Sequence, residues 1–89
     1  MTENTYPTVT EESIDEIIVN AQYFHFEGTT VTVCLLELKN GFRVLGESAC
    51  ACPEIFDVTK GKDYALEDAK NRIWKLEGYL LKQRLFEQQ

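Results

Sequence analysis

At 89 residues the chain can build one hydrophobic core but not two independently stable ones, so a single domain is expected. Hydrophobic residues at 44% and charged residues at 27% match ordinary globular usage, which argues against disorder throughout and leaves no run approaching the roughly 20 apolar residues of a membrane span. The net charge of −6 disfavours nucleic acid as a general partner, because phosphate binding needs a basic face to displace counterions.

Residues 1–9 carry Pro7 and scattered Thr and Tyr without an apolar period, and read as an N-terminal arm preceding a domain over 10–89. Thr10 has the character of a helix N-cap. Glu11 and Glu12 follow it, and Ile14, Ile17, Ile18 and Ala21 recur at spacings of three and four, so the periodicity predicts an amphipathic helix from about Glu11 to Ala21. Tyr23, Phe24 and Phe26 lead through Gly28 into a β-branched run over 29–38. There Val31, Val33, Leu35 and Glu37 point to one side and Thr30, Thr32, Cys34, Leu36 and Leu38 to the other. Asn40-Gly41 then separates two strand-like runs and predicts a type I′ hairpin, in which both turn residues take positive φ. The return strand runs from Phe42 to about Ala49, and Pro53 ends or redirects it.

Pro53 to Gly61 reads as a connection containing a helical turn. From Asp63 to about Phe86, Leu66, Ala69, Ile73, Leu76, Leu80 and Gln83 recur at helical spacing, with Gly78 as a marker of a close contact or kink. The elements predict an α+β fold: an N-terminal helix, a two- or three-stranded antiparallel β-meander, and a long C-terminal helix packed on one sheet face. Trp74, Leu76 and Tyr79 are the large side chains available to cover the small residues Gly46, Ser48 and Ala49, so Trp74 is expected in the core.

No catalytic, cofactor-binding or metal-ligating set emerges. There is no phosphate-cradling glycine loop, no HExxH and no nucleophile elbow, and Ser48 in Gly46-Glu47-Ser48-Ala49-Cys50 lacks a partnering histidine. The lone His25, among Tyr23, Phe24 and Phe26, reads as an edge-strand imidazole. Cys34, Cys50 and Cys52 are odd in number and fit neither a disulfide framework nor a four-ligand zinc site, which points to reduced thiols and a reducing cytoplasm.

The charge is local. Before Lys39 there are seven acidic residues and no Lys or Arg, whereas nine basic residues meet eight acidic ones thereafter. Glu11, Glu12, Asp15 and Glu16 therefore form a candidate partner surface on the first helix, with carboxylates near the N-terminal dipole as the alternative reading. On the C-terminal helix Asn71, Arg72, Trp74, Glu77 and Tyr79 form a candidate binding set, polar groups flanking an aromatic pair.

Two stretches resemble the small phage and prophage proteins of the gene-49/gene-66 family: Val33-Cys34-Leu35-Leu36-Glu37-Leu38-Lys39-Asn40-Gly41-Phe42 with Gly46-Glu47-Ser48-Ala49-Cys50, and Asn71-Arg72-Ile73-Trp74-Lys75-Leu76-Glu77-Gly78-Tyr79-Leu80-Leu81. The likeness covers roughly Ile14 to Leu85. It implies a phage protein and carries no activity, metal or catalytic residue. Lys75 stands where the family pattern has proline, so a helix break at that point does not carry over.

The leading functional expectation is a non-enzymatic phage or prophage accessory protein that binds a host or phage macromolecule, with a protein as partner, no membrane, and a homodimer among the arrangements open to it. The helix, meander, helix order is also similar to that of double-stranded-RNA-binding domains, which keeps nucleic acid as an alternative despite the charge. A third expectation is a nucleotide-binding or sequestering protein with its site at a subunit interface.

Overall fold

The computed structural model describes residues 8–89, so the first seven residues of the expected arm lie outside the described residues. Thr10 caps α1 (Glu11–Ile17) through a reciprocal pair. Its Oγ1 accepts the Ser13 N–H at 3.1 Å, and the Ser13 Oγ accepts the Thr10 N–H at 3.0 Å. Ile14 is fully buried.

The helix expected to reach Ala21 stops at Ile17, and the chain passes directly into β1 (Ile18–His25). Ile17-Ile18-Val19 is a β-branched run with poor helix and good strand propensity, and the segment finds a long-range ladder with β2 (Val31–Leu38). The apolar spacing that resembled a helical stripe is thus divided between one helical face and a strand.

β2 and β3 (Arg43–Ala49) complete a three-stranded antiparallel sheet in the order β1-β2-β3. The connection between β2 and β3 is not the expected type I′ turn. Asn40 keeps a negative φ, and only Gly41 enters the left-handed region, at φ 89°. The Gly41 N–H closes a turn on the Leu38 carbonyl, the Asn40 side chain accepts the Phe42 N–H at 3.0 Å, and the Leu38 N–H donates to the Phe42 carbonyl. This is a three-residue hairpin in which glycine alone supplies the left-handed step, because the Asn40 amide is occupied by a backbone donor.

After a short 3-10 turn (Pro53–Ile55), α2 (Val58–Glu87) runs for 30 residues without a break at Lys75. It begins five residues earlier than the periodicity indicated. The Asp57 side chain is its N-cap, accepting from the Thr59 and Lys60 N–H groups, and Gly61 sits inside the first turns because a Cβ there would come within 2.8 Å of the Thr32 hydroxyl.

α2 lies across β3 and β2. Its buried residues, Gly61, Ala65, Ala69 and Ile73, repeat every four positions and meet Thr32, Cys34, Leu36, Leu38, Val44 and Gly46. The sheet residues under the helix therefore belong to the Thr32, Cys34, Leu36 and Leu38 side of β2. The approach is closest at Gly46, where a Cβ would fall 2.3 Å from both the Ala65 carbonyl oxygen and the Ala69 nitrogen. Small residues on both sides let the backbones come together, so the expected large cover does not form. Trp74 is 38% exposed and Tyr79 72%, which corrects the core role assigned to Trp74. A methyl group placed on Gly78 would have no heavy atom within 4 Å, so this glycine marks no close contact.

Candidate binding surfaces

The covered half of the molecule is chemically quiet. Ser48, the serine of the Gly46-Glu47-Ser48 run, donates to the Gly61 carbonyl at 2.8 Å and so ties β3 to the start of α2. His25 is half-buried on β1, with its Nε2 2.7 Å from the Thr29 carbonyl and its ring stacked on Phe56 at 5.0 Å between centroids. The Ser48 hydroxyl and the His25 Nε2 are thus both engaged by backbone carbonyls. Among the described residues no three His, Cys, Asp or Glu side chains converge as metal ligands.

The thiols differ in environment. Cys34 is buried under α2, and burial raises its pKa while its contact with the Tyr23 hydroxyl opposes the rise. Tyr23, across the register from Cys34, is raised as well, first by burial and then by Cys34. Cys50 is half-buried with its Sγ directed at the Cys52 carbonyl, and the exposed Cys52 donates to Glu54 at 3.2 Å, which lowers the Glu54 pKa.

The acidic residues of α1 are all exposed. Asp15 alone has a cationic partner, Lys70 at 2.7 Å, and this pair fastens α1 to α2. Glu11, Glu12 and Glu16 project to solvent from the first and last turns.

The five candidate residues on α2 do not converge. Arg72 and Tyr79, seven positions apart, share one side of the helix, whereas Trp74 and Glu77 share another and Asn71 lies between them. Arg72 is already engaged by Asp68 at 3.2 Å, and the same Asp68 oxygen accepts the Glu47 N–H of β3 at 2.9 Å. Glu77 lines a shallow cleft with Ile17, Leu38, Asn40, Leu80 and Arg84.

What the five residues do share is position near or beyond the end of the core. Ile73 is the last buried residue of α2, and the helix continues to Glu87 past the hairpin end of the sheet, which it meets at Glu77, Leu80 and Arg84. The radius of gyration, 16.3 Å, exceeds the roughly 12 Å of a compact chain this long, as a projecting helix requires. On the projecting part Arg72, Leu76, Tyr79, Gln83 and Phe86 follow one another at spacings of four and three, which aligns them along one side. Tyr79 and Phe86, at 72% and 62% exposure, are among the most exposed large apolar groups in the described residues.

A separate cup of about 410 Å³ lies at the opposite end of α2, lined by Cys50, Ile55, Phe56, Lys60 and Tyr64 among others. None of the five candidate residues on α2 reaches it. The sequence pattern did not reveal it because its wall is built from the 3-10 turn and the unanticipated first turns of α2, with Asp57-Val58-Thr59 as the one local signal of an earlier helix start.

A family model described as Phage protein (N4 Gp49/phage Sf6 gene 66) family matches residues 9–85, from just before α1 to the last turn of α2. No curated protein and no solved structure matches the chain. No helix among the described residues is long and apolar enough to cross a membrane.

Proposed function

Because the chain belongs to the phage protein (N4 Gp49/phage Sf6 gene 66) family, we propose that it is a non-enzymatic phage accessory protein that acts in the host cytoplasm by binding a host or phage protein. The observation that carries this reading is the seam of Leu76, Tyr79, Gln83 and Phe86 on the projecting part of α2. A projecting helical segment with large side chains at i, i+3, i+7 and i+10, three of them apolar here, is the form in which helices are received by grooves on other proteins. Tyr79 and Phe86 supply area at low entropic cost, and aromatic anchors of this kind dominate binding energy where they become buried.

The acidic face of α1 contributes charge rather than area. Glu11, Glu12 and Glu16 lack cationic partners among the described residues and favour a basic surface on the partner, steering the encounter more than adding affinity. The test is affinity capture from host lysate with the full chain and with a Leu76→Glu, Tyr79→Glu double variant. A stoichiometric protein retained by the former and lost by the latter is expected. Absence of any stoichiometric protein, or its undiminished retention by the double variant, overturns the reading.

A second reading rests on the cup beside Phe56. Its volume falls within the range of small-molecule sites, and a wall that includes Phe56, Tyr64 and Lys60 suits a planar anionic ligand such as a nucleotide. Thermal-shift screening with nucleotides separates the two: a melting shift abolished by Tyr64→Ala supports the cup, and no shift with any nucleotide removes it.

A further inference from the structure

The two outer strands of the sheet end in opposite ways. On β3 the register places the backbone groups of Arg43, Leu45 and Glu47 on the outer edge, since the Leu38 N–H bonds to the Phe42 carbonyl and alternate residues bond inward. That edge is blocked: Asp68 caps the Glu47 N–H, and Arg43 and Glu47 add charge. On β1 the Phe26 N–H bonds to the Val31 carbonyl, so Phe24, Gln22 and Asn20 bond inward while Ala21, Tyr23 and His25 turn their backbone groups outward. Among the described residues nothing caps them.

β1 also lacks the devices that keep edges solitary. From Ile17 to Phe26 there is no Lys, Arg, Asp, Glu or Pro, and the one irregularity, between Ile18 and Asn20, leaves a regular stretch from Asn20 to Phe26. α2 packs on β2 and β3 rather than on this strand, reaching it at Tyr23, where the Lys62 ammonium lies 5.9 Å from the ring centroid, and the six central residues of β1 are all exposed.

We propose that β1 pairs with β1 of a second copy, antiparallel about a two-fold axis at Tyr23, joining two three-stranded sheets into one of six strands with both α2 helices on the same face. A second copy is the occupant for two reasons. The outward groups of Ala21, Tyr23 and His25 alternate along one regular stretch, and an antiparallel copy of the same strand presents the identical alternation, so each outward N–H and C=O meets its complement. The strand is also uncharged in a chain of net charge −6, so it is the element on which two copies meet without opposing their acidic α1 helices face to face. The axis falls at Tyr23 because it is the midpoint of the regular stretch and its backbone groups face outward. This pairs Ala21 with His25 of the partner subunit, and Tyr23 with its own equivalent.

Sedimentation equilibrium of the full chain tests the proposal. The wild type is expected at twice the chain mass. Ala21→Pro removes an outward N–H and leaves the ladder to β2 intact, so it is expected at the single-chain mass with unchanged helical circular dichroism. Tyr23→Lys and Tyr23→Glu each place like charges across the axis and are expected to be monomeric, whereas an equal mixture of the two returns to the dimer mass. A monomeric wild type at every concentration, or a dimer that survives both Ala21→Pro and Tyr23→Lys, overturns the pairing. Failure of the mixture to re-associate overturns the axis at Tyr23.

Discussion

The two halves of α2 solve opposite problems. Over Gly61, Ala65 and Ala69 the helix presents its smallest side chains and comes so near the sheet that Gly46 has no room for a methyl group. Beyond Ile73 it buries no further residue: Glu77, Leu80 and Arg84 border a shallow cleft against Ile17, Leu38 and Asn40, while Leu76, Tyr79 and Phe86 are exposed. Apart from Ile73, the helix buries its small side chains and leaves its large ones exposed. The small residues are structural because proximity is what holds the domain together, and the large ones are free for another molecule.

The largest test of that division is Gly46→Val. Its Cβ would meet backbone rather than a flexible side chain, so α2 must lift from β3, and a loss of about 3 kcal/mol or more is expected, read as a collapsed melting transition. Next comes the boundary residue. Ile73→Ala removes a fully buried side chain and is expected to cost about 2–5 kcal/mol by urea denaturation, while Tyr79→Ala, six residues on, should change stability by less than about 0.5 kcal/mol. Equal costs at the two positions would break the comparison.

On the projecting half Gly78 has open space around it, so Gly78→Ala should raise stability by up to about 1 kcal/mol, whereas any substitution of Gly61 meets Thr32. The last effect is absent at neutral pH. Cys34 beneath the covered half and Tyr23 beside it both have raised pKa values in the fold, so the folded state holds protons that the unfolded state releases. Their contribution is complete below the ordinary thiol value of about 8.5 and is lost as pH rises through the folded values, so the urea midpoint should fall in alkaline solution, less so in Cys34→Ala.

Several of these features can be read from residues alone. Thr10 with Ser13 at the start of α1, the alternation along β2, the break at Asn40-Gly41 and the spacing through Ile73 are local patterns, and each corresponds to an element that forms. The gene-49/gene-66 likeness was legible in the same way, through the run around Asn40-Gly41 and the run from Asn71 to Leu81. For the candidate binding set only the element was legible. Asn71, Arg72, Trp74, Glu77 and Tyr79 were correctly placed on one helix, but which of them share a side with Leu76 and Phe86, and which turn toward Ile17 and Leu38, depends on the rotation of α2 against the sheet.

The acidic N-terminal segment, the α+β element types and the lack of a recognisable catalytic motif followed from the order of residues, because composition and period act over a few positions. Three matters were decided only when distant segments met. Ile18 to Ala21 joined a strand because β2 offered a ladder whose hydrogen bonds outweigh the single turn of helix those residues would otherwise have added. The Thr-bearing face of β2 became the inner one because Gly46 and Gly61 allowed backbone to approach there. Trp74 and Tyr79 stayed outside because the rotation of α2 that brings Ala69, Ile73 and Glu77 toward the sheet turns both away, and that rotation is set by packing on distant strands that no single helix encodes.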